Sequence, residues 1–319
     1  MKLKITTQQE EQTFYGHGKL LITGEYFVLD GALAFAIPTR FGQSLRVKEL
    51  HSSESVLYWV ALNLHKKQPW LNLVFDTTDF SCINSQQEEA IRLSSILKAT
   101  RLLNPQFLTS TRDLAVETHL EFPNSWGLGS SSTLIHCISD WAGVSGYQLL
   151  QNTLGGSGYD VACAAHNSPI LYQLNNKHPE TLPINWKPEF SNQLFFAFTG
   201  KKQLSSEGIK YYRETLKEKT HIVNELSRIT RLMLSCNELS VFEELLNEHE
   251  QIVGQSLKMI QVKNMLFDDY WGCVKSLGAW GGDFVLLTNN RTDTDLKTYL
   301  KEKNIDTVFG WNEIILAAK

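Results

Sequence analysis

The strongest constraint on what this chain can fold into is a short segment near its middle, which reads Gly127-Leu128-Gly129-Ser130-Ser131-Ser132. It follows an alternating, strand-like run over residues 113–122 and opens a stretch whose apolar residues recur at helical spacing. Glycines let the backbone turn tightly, and serines in a first helical turn lie where unpaired N–H groups and the positive helix end favour an anion. The segment therefore predicts a strand–loop–helix unit whose loop holds phosphate, with a simple helix cap as the alternative.

Bulk composition excludes several classes of protein. The 319 residues carry 30 basic and 34 acidic side chains, and no basic run exceeds a short pair, so the charge does not favour a nucleic-acid partner. No stretch approaches the roughly 18–20 apolar residues of a membrane-spanning helix, and the N-terminus lacks the apolar core of a signal peptide. The five cysteines are scattered without a CxxC pair, which fits neither a zinc cluster nor a disulfide framework. We therefore expect a cytoplasmic protein with free thiols and no membrane partner.

Secondary-structure patterns predict an α+β protein of two domains. In the first half, strand patterns cover residues 18–24, 32–38, 43–48, 56–62, 71–76 and 113–122, and a helical pattern covers residues 85–103. In the second half, strands are expected at 194–198, 284–288 and 307–317, and helices at 205–235, 240–262 and 293–303. Residues 174–188 contain three prolines and little periodicity, so we expect a surface connection there. The corresponding domains are residues 1–185 and 186–319.

Four segments carry residues suited to chemistry. Glycines flank Lys19 within residues 16–26, and the glycine- and serine-rich loop is the second segment. The third segment, 156–162, places Asp160 among small residues, and the fourth, 278–283, is a glycine-rich turn. Taken singly, each segment has an ordinary structural explanation. In the same order, these are a surface lysine, a helix cap, a capping aspartate and a hairpin turn. Their occurrence together in one chain indicates a single site.

These segments resemble the motifs of the GHMP kinases, the superfamily of galactokinase, homoserine kinase, mevalonate kinase and phosphomevalonate kinase. Residues 19–31 resemble the first motif, 123–133 the second (Pro-x-x-x-Gly-Leu-Gly-Ser-Ser) and 275–286 the third. Phosphomevalonate kinases are the most similar members, because residues 24–30 and 156–165 resemble their segments. The resemblance implies a two-domain α+β GHMP kinase fold, with a ribosomal protein S5 domain 2-like N-terminal domain and a ferredoxin-like C-terminal domain.

The resemblance also implies how ATP, Mg²⁺ and a small-molecule substrate are held. Lys19 would stabilise charge on the transferred phosphoryl group, and Asp160 would orient the acceptor and take its proton. The ATP phosphates would lie against Pro123, Gly127, Leu128, Gly129, Ser130, Ser131 and Ser132, and the Ser131 hydroxyl would also bind Mg²⁺. Substrate contacts would come from Glu25, Tyr26, Ser157, Gly158, Ser205, Ser206, Gly281 and Gly282. The expected assembly is a monomer or a homodimer.

Two departures from the motifs keep alternatives open. Trp280 stands where the third motif usually has a small residue, and residues 143–158 contain no acidic residue to match the magnesium-binding glutamate of mevalonate kinases. We expect a phosphotransferase acting on phosphomevalonate, with mevalonate, a sugar or homoserine as alternative acceptors. The alternative of another class is a non-catalytic homologue that binds nucleotide.

Acceptor chemistry separates the two leading substrates. An alcohol such as mevalonate is a poor nucleophile and benefits from a base. A phosphate monoester is already ionised at neutral pH, but it needs extra cations to offset repulsion from ATP. Candidate cations are Lys201, Lys202, His17 and Arg40.

Overall fold

The computed structural model describes residues 11–64, 68–110, 112–200, 205–215, 218–278 and 283–316. Its strands are β1 (Glu11–Thr23), β2 (Ala34–Glu49), β3 (Val56–Leu62), β4 (Pro69–Asp76), β5 (Leu114–Leu120), β6 (Ile170–Asn175), β7 (His178–Pro183), β8 (Leu194–Phe198), β9 (Val274–Leu277), β10 (Phe284–Thr288) and β11 (Val308–Gly310). Its helices are α1 (Glu88–Leu103), α2 (Ser130–Ala142), α3 (Gly146–Gln151), α4 (Tyr159–Ala164), α5 (Ser205–Thr215), α6 (Thr220–Leu234), α7 (Leu239–Leu257), α8 (Val262–Leu266), α9 (Asp293–Glu302) and α10 (Trp311–Ile314). Within these ranges, every helix is too short or too polar to traverse a lipid bilayer.

The chain forms two compact units, each built from separate stretches. Unit 1 comprises the residues up to Gly16 together with Gly42–Pro123 and Ser130–Gly155. Unit 2 comprises His17–Phe41, Asn124–Gly129 and the residues from Gly156 onwards. Strands β1 and β2 each run from one unit into the other, so this division differs from the boundary predicted near residue 185. A domain boundary at that position stays a prediction.

Unit 1 combines a sheet with three helices. Its strands pair in the order β4-β3-β5-β2, with β3 and β5 parallel and the other neighbours antiparallel. Along β3, the side chains of Leu57, Trp59 and Ala61 are buried and alternate with more exposed residues, as the period of two in a strand requires. Helices α1, α2 and α3 contact one another.

Unit 2 contains the end of β1, the start of β2 and a separate antiparallel sheet. In this unit β2 pairs with β6, and β6 pairs with β7. The separate sheet has the order β11-β8-β10-β9. Helices α6 and α7 pack together, and their residues Leu226 and Val253 belong to a buried cluster with Phe27. This cluster supports the segment that follows β1.

Two strand predictions are corrected by the structure. Residues 174–188, expected to be a surface connection, include the end of β6 and all of β7. Pro179 and Pro183 lie in β7, and among the described strands β7 pairs with β6 alone. A proline lacks an N–H but is tolerated on such an edge strand, which explains why the prolines did not prevent pairing. The strands expected separately at 32–38 and 43–48 are one continuous strand, β2.

Two further predictions were wrong in the second half. The helical pattern over 205–235 forms two helices, α5 and α6, and Lys219, directly before α6, has a non-helical φ of −128°. The strand expected at 307–317 is only β11, and α10 follows it directly. The side chain of Glu313 accepts a hydrogen bond from the N–H of Gly310 at 2.7 Å, which caps this helix start.

Candidate active site

The glycine- and serine-rich loop connects β5 to α2, as the sequence predicts. A 3₁₀ turn over Asn124–Trp126 leads into Gly127 and Gly129, whose φ angles of 66° and 93° lie in the left-handed region that favours glycine. Helix α2 begins at Ser130, so the three serines form its first turn. The first N–H groups of a helix have no partner within the helix, and they favour an anion.

Trp126 attaches this loop to the separate sheet of unit 2. Its ring lies against four phenylalanine rings at centroid distances from 5.4 to 6.4 Å. These are Phe41, Phe198, Phe284 and Phe309. Three of them belong to β8, β10 and β11, so the loop has a fixed position relative to that sheet.

Lys19 contacts the loop through both its backbone and its side chain. Its N–H donates to the carbonyl oxygen of Leu128 at 2.9 Å, and its Nζ donates to the carbonyl oxygen of Gly127 at 2.9 Å. Gly18 permits this approach, because a Cβ there would lie 2.5 Å from Thr39 Oγ1 and 3.2 Å from the oxygen of Leu128. Lys19 is only 9% exposed, so the loop has a largely desolvated positive charge beside it.

Asp160 interacts with the same ammonium group from the start of α4. Gly158, with φ of 89°, precedes the helix, and Asp160 Oδ1 accepts a hydrogen bond from the N–H of Val161 at 3.0 Å. Burial raises the pKa of the Asp160 carboxyl group, and the positive charge of Lys19 acts in the opposite direction. The centroid of the Tyr159 ring is 5.9 Å from Lys19 Nζ. The structure thus brings together Lys19 of the first predicted segment, Gly127 of the second and Asp160 of the third.

Asp283 also lies on the loop, although the sequence analysis assigned it no role. A Cβ built on Gly127 would be 2.2 Å from Asp283 Oδ2 and 2.7 Å from Oδ1, so the carboxylate fills the space beside Gly127. Asp283 is 5% exposed and lines a small cavity together with Lys19. Its carbonyl oxygen accepts hydrogen bonds from the N–H and the hydroxyl of Thr199, at 2.9 and 3.1 Å. The sequence signal for it was an acidic residue directly after the glycines of the third motif.

Glu25 lies in a buried ionic cluster. Its Oε1 accepts a hydrogen bond from Lys275 Nζ at 2.5 Å, and Glu250 Oε1 is 3.4 Å from the same nitrogen. The N–H of Gly24 donates to His249 Nε2 at 3.1 Å, and this nitrogen is 3.4 Å from Glu25 Oε2. Burial raises the pKa of Glu25 to about 7 against the opposing effect of Lys275, and burial lowers the pKa of His249 well below its usual value. Glu25 has no exposed surface, so its predicted contact with substrate would require this cluster to open.

The other predicted substrate residues have varied surroundings. Tyr26 stacks on Tyr212 with a centroid distance of 5.8 Å, and the carbonyl oxygen of Ser157 accepts a hydrogen bond from the Tyr172 hydroxyl at 2.5 Å. The backbone of Ser205 and Ser206 begins α5. Several residues named from the sequence lie outside the described residues, namely Gly281, Gly282, Trp280, Lys201 and Lys202.

The available donors fit Mg²⁺ only as a partner of a bound nucleotide. Across the described part of the chain, no three His, Cys, Asp or Glu side chains converge in a way that could hold a metal ion. Unit 2 nevertheless presents the carboxylates of Asp160 and Asp283, which are hard oxygen donors, near Lys19. Nucleotide-bound Mg²⁺ usually takes one or two carboxylates and completes its octahedron with phosphate and water oxygens. The residues present suit that arrangement.

Comparisons with known proteins find the fold among solved structures. No protein-family model matches the sequence, and no curated protein matches it. The structure of L. major mevalonate kinase in complex with R-mevalonate is 15% identical and has a TM-score of 0.69, covering 98% of each chain. Lactococcus lactis galactokinase complexed with galactose is 11% identical with a TM-score of 0.69, covering 97% of this chain and 94% of that one. Streptococcus pneumoniae phosphomevalonate kinase in complex with phosphomevalonate and AMPPNP is 16% identical with a TM-score of 0.67, covering 94% and 99%.

These matches confirm the predicted fold class. The chain has the GHMP kinase fold over nearly its full length, with strands and helices mixed in both units. Besides AMPPNP, the three matched structures are named with three different small molecules, so a shared fold at 11–16% identity leaves the acceptor of this chain open.

Proposed function

We propose that this chain, which has the GHMP kinase fold, is a member of that superfamily and an ATP- and Mg²⁺-dependent phosphotransferase acting on a small molecule. The observation that carries the proposal is the position of Lys19. Its ammonium group is hydrogen-bonded to Gly127 and interacts electrostatically with Asp160. Phosphoryl transfer depends mainly on positioning and on offsetting the charge spread over the transferred group. A desolvated ammonium group beside a loop suited to binding phosphate can perform that task.

Each part of the site would have a separate role. The N–H groups at Gly129 and in the first turn of α2 would bind phosphate oxygens, and Lys19 would offset the charge of the γ-phosphoryl group. Asp160 would orient the acceptor and accept its proton, and its raised pKa would make the ionised carboxylate a stronger base. When bound, Mg²⁺ would neutralise phosphate charge, with the Ser131 hydroxyl as one ligand.

For the acceptor, we propose phosphomevalonate. The support is the sequence of residues 156–165, which resembles phosphomevalonate kinases and includes Asp160. A second phosphate-bearing molecule beside ATP requires cations in addition to Lys19. His17 is one candidate, because it lies two residues before Lys19 on β1 and strand residues at that spacing point to the same face.

Mevalonate is the second candidate, and the environment of Asp160 favours it. A carboxylate with a raised pKa beside an ammonium group is suited to deprotonating an alcohol, whereas a phosphate monoester needs no base. The two acceptors therefore make different demands on Asp160.

The test is a measurement of acceptor-dependent ADP release by the purified chain. ATP and Mg²⁺ would be supplied with phosphomevalonate, mevalonate, galactose or homoserine in separate reactions, and products would be identified by mass spectrometry. We expect phosphomevalonate to stimulate ADP release most strongly and to yield diphosphomevalonate. If no acceptor stimulates release while ATP still raises the Tm, the chain is a non-catalytic nucleotide-binding homologue.

We also propose that the enzyme works in the cytoplasm as a monomer or homodimer. The support is the five cysteines, which are all free in the structure and suit a reducing compartment. Sedimentation analysis of the purified chain would distinguish the two assembly states.

A further inference from the structure

We propose that the carboxylate of Asp283 is the acidic protein ligand of the nucleotide-bound Mg²⁺. The proposal rests on the proposed function, because it requires a nucleotide at the loop around Gly127. It also addresses the lack of any acidic residue in 143–158, where the sequence resemblance would place a magnesium-binding glutamate. In this chain the third motif would supply the missing acidic group.

The carboxylate of Asp283 lies directly against the loop. Its two oxygens would lie only 2.2 and 2.7 Å from a Cβ on Gly127, so they are packed against the backbone of the loop. Gly127 has no side chain and a φ of 66°, and both features leave room for this close approach. The carboxylate is therefore beside the segment whose following N–H groups would hold phosphate.

The carboxylate of Asp283 also places a negative charge beside the loop. A triphosphate at this loop would meet the negative carboxylate of Asp283, and two anions repel each other strongly when they are poorly solvated. Among the described residues, Lys19 lines a cavity with Asp283, and its ammonium group also donates to Gly127 and interacts with Asp160. A divalent cation bound by both the carboxylate and phosphate oxygens converts the repulsion into two attractive contacts.

Several contacts hold the backbone at Asp283 in position. Its φ of 51° is in the left-handed region, which a non-glycine residue adopts at a cost, and Thr199 donates two hydrogen bonds to its carbonyl oxygen. Its neighbour in the chain, Phe284, pairs with Phe198 in the sheet and packs against Trp126 of the loop. These contacts hold the backbone of Asp283 in place relative to the loop before any metal binds, which favours a ligand of defined geometry.

The test compares nucleotide binding with and without Mg²⁺ in the wild-type protein and in Asp283→Asn. Asn keeps the shape of the side chain and tolerates a left-handed φ. Calorimetric titration with AMPPNP would be done in Mg²⁺ and in EDTA. For wild type we expect Mg²⁺ to tighten binding by about tenfold or more, and for D283N we expect most of that gain to be lost. Without Mg²⁺, the variant should bind AMPPNP as tightly as wild type or more tightly, because a negative charge has been removed.

Asp160→Asn is the matched control, since it removes the other carboxylate near Lys19. The proposal expects D160N to keep the Mg²⁺-dependent gain in AMPPNP affinity. If D283N instead tightens AMPPNP binding equally with and without Mg²⁺, Asp283 is an internal anion that competes with phosphate, and the proposal is overturned. A wild-type protein that binds no AMPPNP at all would overturn the proposed function and this inference with it.

A second measurement needs no variant and covers the case in which D283N does not fold. Fe²⁺ would replace Mg²⁺ in the wild-type complex with AMPPNP, and ascorbate with hydrogen peroxide would generate hydroxyl radicals at the bound metal. We expect cleavage of the chain close to Asp283 and in the loop around Gly127. Cleavage near Asp160 without cleavage near Asp283 would overturn the proposal.

Discussion

Among the individual residues, Lys19 donates a hydrogen bond from Nζ to Gly127, interacts with Asp160 and lines a cavity with Asp283. Among the described residues, the charged groups of Lys19, Asp160 and Asp283 therefore lie in one region of unit 2. An ammonium group has three N–H donors and can bind phosphate while retaining a backbone contact. A triphosphate bound beside Asp283 would bring further negative charge there, which a divalent cation would offset, and this is the basis of the role proposed for Asp283.

Asp160→Asn tests the base at the residue scale. With an alcohol acceptor we expect kcat to fall about 10²- to 10⁴-fold, because a positioned base contributes that much. With phosphomevalonate we expect a much smaller loss, since that acceptor is already ionised. The measurement is kcat for wild type and D160N with each acceptor. Unchanged turnover with both acceptors would remove Asp160 from the mechanism.

The same variant has an expected effect on stability. Folding raises the pKa of Asp160, so the folded state binds this proton more tightly than the unfolded chain does. Stability contributed by the protonated group is therefore lost as pH rises through the folded-state pKa, and the ionised carboxylate destabilises the fold above it. D160N should consequently have a Tm at pH 7 equal to or higher than that of wild type. A large decrease in Tm would indicate a structural role instead.

At the scale of elements, the loop between β5 and α2 is held by contacts from distant parts of unit 2. Trp126 packs against Phe198 and Phe284, and Lys19 and Asp283 contact Gly127. These contacts place β1, β8 and β10 around one turn of backbone. The position of the loop is therefore a property of several elements and not of its own sequence alone.

Gly127→Ala tests this packing, and Gly155→Ala is its matched control. The φ angles at the two glycines are 66° and 69°, so alanine pays a similar left-handed penalty of about 1–2 kcal/mol at each. A Cβ at position 127 would also meet Asp283 at 2.2 Å, whereas none of the described atoms lies within 4 Å of a Cβ at position 155. We expect G127A to raise the KM for ATP by about tenfold or more, and G155A to leave it near the wild-type value. Equal effects would show that backbone strain, and not the contact with Asp283, determines the outcome.

At the scale of the whole molecule, a buried ionic cluster joins distant parts of the chain in unit 2. Glu25 follows β1, Lys275 lies in β9, and His249 and Glu250 lie in α7. Removing one partner of a buried ion pair leaves an uncompensated charge and commonly destabilises a protein by about 3–5 kcal/mol. The cluster therefore connects β9 and α7 with the segment that directly follows β1, the strand carrying Lys19.

The pH dependence of unfolding tests this cluster. Folding raises the pKa of Glu25 from 4.5 to about 7, so its protonated form is favoured in the folded state. The stabilisation of the fold by protonated Glu25 is fully present below about pH 4.5, and it is lost as the pH rises through about 7. We expect the Tm of wild type to fall over this range relative to that of Glu25→Gln. Glu302→Gln, an exposed position on α9, is the control and should follow wild type. If the Tm of wild type and that of E25Q change equally with pH, the raised pKa of Glu25 is contradicted.

The parts of the molecule that were predictable have local causes. The turn at Gly127 and Gly129, the helix start at Ser130 and the existence of β5 follow from glycine conformation and from residue patterns within each segment. The missed strand β7 depends on its pairing with β6 and on its position at an edge, which no local pattern of prolines reveals.

The amino-acid sequence by itself determined the order of the motifs, the glycine- and serine-rich loop, and the choice of Lys19 and Asp160 as candidates. Each of these depends on residues adjacent in the chain. Only the tertiary structure decided that Lys275 pairs with Glu25 and that Asp283 lies on Gly127. These pairs are separated by 250 positions in the first case and by more than half of that in the second, so their contact depends on how strands and helices pack. Burial then changes the chemistry of the groups, because desolvation shifts a pKa only after the fold has removed water.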